Sequence, residues 1–105
     1  FCRLMQVITT GRDKSQTGRY ARQAGQICRE VISDHPRGQH SVQLLGPVMA
    51  PLSRIKDRYR WQLLLKGTQV DLLHQVARTL RHRAAQEMPR KGNRLIIDVD
   101  PMNML

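Results

Sequence analysis

The chain has 105 residues, 40% of them hydrophobic and 25% charged, which suits one globular domain and excludes a disordered tract. Its 18 Lys and Arg against 8 Asp and Glu leave a net charge of +10. Such a field draws polyanions, so nucleic acid is the first expected partner, with acidic proteins and anionic membrane behind it.

Arg3 to Thr10 is apolar and β-branched and predicts a first strand, followed by a turn at Gly11, Arg12 and Asp13. Asp13 or Ser15 is the expected N-cap of a helix over Ser15 to Ser33. Tyr20, Ala24, Ile27, Cys28, Val31 and Ile32 recur at helical spacing and mark its buried face. Gly18 and Gly25 weaken this helix by up to about 1 kcal/mol each. Asp34 to Gly38 ends it. Ser41 to Leu45 predicts a second strand, stopped at Gly46 and Pro47, and a connection runs from Pro47 to Asp57. A third strand follows from Arg58 to Lys66. Gly67 and Thr68 make a turn, with Thr68 as expected N-cap and Asp71 in the first turn of a helix from Gln69 to Glu87. Its apolar stripe is Leu73, Val76, Ala77, Leu80 and Ala84. Pro89 to Asn93 breaks it. Leu95, Ile97 and Val99 alternate with Ile96, Asp98 and Asp100 in a last strand, which Pro101 ends.

The element order is βαββαβ within a single domain over residues 1–105. That order predicts an α+β fold of the split βαβ, or ferredoxin-like, kind: a four-stranded antiparallel sheet with two helices on one face. Alternation then turns Tyr59, Trp61, Leu63 and Leu65 toward the helices. Arg60, Gln62, Leu64 and Lys66 face the other way, onto a polar and partly open sheet face.

No catalytic centre is read. HExxH, Gly-rich phosphate loops and nucleophile elbows are all missing from the sequence. Cys28 falls on the buried helix face and reads as core. His35 and His40 flank a turn, and His74 and His82 are too far apart on one helix to share a metal. Asp98 and Asp100 point to one strand face, where two carboxylates suit a divalent cation or acid–base work. With no third ligand, the favoured reading is that they neutralise Arg60 or Arg94. Cys2 and Cys28 form no CxxC, which suits a reduced, cytoplasmic setting. No apolar run of about 18 residues is present, and no secretory leader is expected. A start at Phe1 rather than Met leads us to expect a piece of a longer protein.

The cations are more informative. Arg19, Arg22 and Arg29 share one stripe of the first helix with Gln26, and Arg78 and Arg81 share one of the second with His74. The hairpin supplies Arg54, Lys56, Arg58 and Arg60, and the last turn supplies Arg90 and Lys91. Phosphate binding needs convergent cations, and the planar guanidinium fork suits it. Stacking on bases needs exposed aromatics. Tyr59 and Trp61 fall on the core face instead, so contacts to backbone and shape are expected.

Two segments, LLGPVMAPLSRIKDRYRWQLLLK (Leu44 to Lys66) and LIIDVDPMNML (Leu95 to Leu105), resemble the C-terminal domain of the primosomal protein N′ (PriA) family of replication-restart DNA helicases, as does the opening FCRLMQVITTGRD. The resemblance implies a C-terminal domain of a larger ATP-dependent 3′ to 5′ helicase, bacterial and cytoplasmic, that restarts stalled forks by primosome assembly. It implies ATP with magnesium, and zinc, for the parent protein only, and no cofactor for this fragment. The implied partners are forked or single-stranded DNA, single-stranded DNA-binding protein, the helicase core of the same chain and primosome proteins. Gly46, Pro47, Pro51, Arg58, Tyr59, Arg60, Trp61, Asp98, Asp100 and Pro101 match the family and read mostly as structural. The family can place an Arg just after the third strand for the partner's acidic tail. Gly67, Thr68 and Gln69 stand there, which shifts that expected contact to Lys66. The rival readings are a scaffold for an acidic peptide, or a ribosome-like RNA binder.

Overall fold

The structure is a computed structural model, and it describes residues 3–36, 41–55, 58–87 and 92–99. Strand β1 (Arg3–Gly11) leads to helix α1 (Lys14–Asp34), strands β2 (Val42–Ile55) and β3 (Arg58–Gly67), helix α2 (Val70–Glu87) and strand β4 (Asn93–Val99). The four strands form one antiparallel sheet in the order β2-β3-β1-β4. This is the ferredoxin-like arrangement that the sequence predicts, with both helices against one sheet face.

Asp13 caps α1: its carboxylate accepts the Gln16 N–H at 2.9 Å, and Thr17 Oγ1 donates to its carbonyl at 2.6 Å. At the other end His35 donates its N–H to the Ile32 carbonyl at 3.2 Å, at the stop that Asp34, His35 and Pro36 signal. Helix α2 starts at Val70, so Thr68 is not its N-cap. The Thr68 N–H instead donates to the Ser41 carbonyl, closing the approach to α2 against the start of β2.

The largest departure from the sequence reading is β2. Pro47 and Pro51 signal a loop, yet the strand runs on to Ile55. It does so because β2 is an edge strand, where a missing N–H costs no ladder bond on the solvent side. Between the pairs Leu45–Leu64 and Val48–Gln62 the ladder slips by one residue. That is a bulge, and Gly46, at φ +99°, occupies it. A second irregularity separates Met49–Trp61 from Arg54–Tyr59.

Met5 and Val7 from β1, Leu63 and Leu65 from β3, Ile27 and Cys28 from α1, and Leu72, Leu73, Val76 and Leu80 from α2 build the core. Leu44, Leu95, Ile97 and Val99 pack around it. Tyr59 and Trp61 take the expected face but only its margin, half-buried. Trp61 lies against α1 at Gly18, where an added Cβ would meet its ring at 3.2 Å. Pro47 does the same at Gly25. The two glycines that weaken α1 in isolation are therefore what lets β2 and β3 approach it.

Candidate nucleic-acid interface

Helix α1 carries Arg19, Arg22 and Arg29 on its solvent face, and α2 carries His74, Arg78 and Arg81. All six are exposed, as both stripes predict. Arg29 also donates from Nη2 to the Gly46 carbonyl at 3.4 Å, which ties α1 to the bulge of β2. Arg83 is spent on structure. Its Nε donates to Glu87 at 2.7 Å and its Nη1 to Glu30 at 2.5 Å, so it links α2 to α1. The hydrogen bond from Arg83, then its charge, holds the Glu30 carboxyl below its ordinary range. The Arg83–Glu87 pair follows i,i+4 spacing and is legible in sequence; Glu30 is not.

Among the described hairpin cations, Arg58 and Arg60 do not join the helix stripes. Arg60, Gln62, Leu64 and Lys66 line the sheet face opposite the helices. Arg58 Nη2 donates to the Gly92 carbonyl at 3.0 Å and lies 3.5 Å from Thr10 Oγ1. It thus ties Gly92, at the entry to β4, to β1. Arg60 is half-buried, and its Nε is buried with no partner among the described residues. Lys66 is exposed. Arg54 is placed by its backbone partner Tyr59, while Cys2, His40, Lys56, Arg90, Lys91, Asp100 and Pro101 lie outside the described residues.

The open face is less polar than the alternation suggests. The register aligns Val48, Gln62, Ile8 and Ile96 in one row, and Leu45, Leu64, Gln6 and Asp98 in the next. Val48 is 58% exposed, Leu45 44% and Ile96 43%, so an apolar band crosses the sheet. Asp98 is exposed and makes no ion pair among the described residues. The expected pairing with Arg94 fails on distance: four residues along a strand span about 13 Å. Arg60 is as far along the ladder, in the row of Thr10 and Arg94.

Among the described residues no three His, Cys, Asp or Glu side chains gather as metal ligands, and no helix is long and apolar enough to cross a membrane. Burial pushes the Cys28 thiol up to about 12, against a smaller opposing effect of Arg29. The thiol therefore stays protonated and shielded. We expect Cys28 to resist alkylation in the native chain at pH 8 and to react once denatured. Rapid native labelling of the Cys28 peptide by mass spectrometry would contradict the packing described.

The fold and its charge define a class: a cationic ferredoxin-like domain whose exposed arginines lie on two sides of one sheet. Residues 1–102 match the model of the primosomal protein N C-terminal domain. The chain belongs to that family. It is 38% identical over 80 residues to the replication restart protein PriA of Haemophilus influenzae, covering 73% of this chain and 10% of that protein. With the replication restart protein PriA of Bacillus subtilis it shares 33% identity over 63 residues, covering 60% of this chain and 8% of that protein. The chain thus spans about a tenth of the length of these relatives. Among solved structures, the de novo designed protein Foldit4 superposes with a TM-score of 0.64 over 96% of this chain and 98% of its own. At 7% identity that likeness concerns the fold alone.

Proposed function

We propose that the chain is the DNA-binding and interdomain module of an ATP-dependent 3′ to 5′ replication-restart helicase of the bacterial cytoplasm, with no chemistry of its own. The carrying observation is the exposure of Arg19, Arg22, Arg78 and Arg81 without ion pairs among the described residues. Exposed guanidinium groups on a rigid frame meet phosphates, and they do so without regard to sequence. Family membership supports a role in fork restart and primosome assembly. ATP, magnesium and zinc belong to other parts of the parent protein. The apolar band of Leu45, Val48 and Ile96 suits docking on the helicase core, because an exposed apolar patch marks an interaction surface. Lys66, exposed where β3 leaves that band, suits the acidic tail of single-stranded DNA-binding protein.

Two forked DNAs of one shape and different sequence test this reading by fluorescence anisotropy. Equal affinities for the two are expected. Absence of binding at low salt would sink the DNA-binding role, and saturable binding of an acidic, Phe-ended peptide undisturbed by DNA would favour the protein scaffold instead.

A further inference from the structure

We propose that the cleft where α2 meets the start of β4 holds a phosphodiester of the DNA backbone, and that the strand passes there around the edge of the sheet. The proposal rests on the DNA-binding reading above. The cleft has a volume of about 430 Å³ and is lined by Tyr20, Arg81, Ala84, Asn93, Arg94 and Leu95. Three separate elements supply these residues. Buried Tyr20 and Ala84, with half-buried Leu95, make its apolar floor. Of its two charged residues, Arg81 stands on the helix side, while Arg94 lines the cleft from the edge strand and alternates onto the open face; no carboxylate among the described residues lines it. Both arginines are exposed, and neither makes an ion pair among the described residues. The size matches the lower range of small-ligand pockets, roughly 300–1,000 Å³, with room for a sugar–phosphate unit.

The cleft's position links the two sets of cations that the sheet otherwise separates. Strand β4 is an edge strand. On the helix side, Arg81 continues the stripe of His74 and Arg78, and successive arginines there lie about 4.5 Å apart along the axis. On the open side, Arg94 shares a row with Thr10 and Arg60. Arg58 donates to the Gly92 carbonyl, one residue before Asn93. It therefore acts as a positioning residue for the rim of the cleft. A polymer with a negative charge at every repeat engages both sides of such a track, whereas a single carboxylate uses one seat.

The test compares the chain with its R81A/R94A and R81K/R94K variants on one forked DNA across a salt series. Far-UV circular dichroism confirms folding; both positions are exposed, and the lysine pair keeps the charge should the alanine pair fold poorly. R81A/R94A is expected to bind at least about tenfold more weakly, with a log–log salt slope shallower by about two. R81K/R94K is expected to keep the slope and lose affinity, because the fork geometry is gone. Amide shifts of Ala84, Asn93 and Leu95 on adding DNA locate the contact. Unchanged affinity and slope in R81A/R94A, with wild-type binding intact, overturn the cleft and leave the functional reading standing. No wild-type binding overturns both. Shifts at these amides produced by an acidic peptide but not by DNA overturn the phosphodiester assignment.

Discussion

Leu65→Ala is expected to lower the stability of the chain by about 2–5 kcal/mol. Leu65 is fully buried on β3, paired with Met5 on β1 and Leu44 on β2. Its side chain faces the layer where α1 and α2 meet the sheet, so truncation removes apolar burial and leaves a cavity that rigid strands on both sides resist closing. Domains of ordinary size have about 5–15 kcal/mol in all, so this one change removes a large share. Urea unfolding should show a markedly lower midpoint with little change in slope. A midpoint like that of the wild type would mean that β3 is not the centre of the core.

Gly46→Ala is expected to cost about 1–3 kcal/mol through backbone strain alone. Gly46 has φ +99°, which a side chain disfavours, and an added Cβ would sit 2.8 Å from the Gln62 carbonyl oxygen. That oxygen belongs to the backbone of β3, so it cannot swing aside as a side chain does. The bulge would have to open, and the Arg29 contact to the Gly46 carbonyl would go with it. Thermal unfolding monitored by circular dichroism measures the loss, and an unchanged midpoint would show that the bulge tolerates a side chain.

These two positions also mark what the sequence reveals and what it hides. Leu65 is legible: strict alternation through Tyr59, Trp61, Leu63 and Leu65 assigns the buried face of β3 from the residue order alone. The 3.6-residue stripes of α1 and α2 are legible for the same reason, though Leu72 joins the core beside Leu73. Gly46 is legible as a special backbone position, but its setting is not. A proline-rich stretch reads as a connection unless its strand is known to be an edge, and edge position is a property of the assembled sheet. Gly18 and Gly25 read as weak points because propensity is local. Their purpose is contact with Trp61 and Pro47, which are distant in sequence.

The candidate site divides the same way. Helical spacing alone groups Arg19 with Arg22, and Arg78 with Arg81. Alternation likewise assigns Arg60 and Lys66 to the open sheet face, but neither pattern shows that Arg58 and Arg83 are employed in holding elements together. The Asp98–Arg94 pairing fails because a shared face is not a shared position along the strand. The cleft of Tyr20, Arg81 and Arg94 draws on three elements, and no local pattern announces it.

The central claim is that the exposed arginines neutralise DNA phosphates. The salt dependence of fork binding by the chain tests it most directly. The account predicts a linear fall of log affinity with log salt whose slope corresponds to several phosphate contacts, about 0.9 for each. A slope near zero, with binding that persists unchanged at high salt, would contradict it.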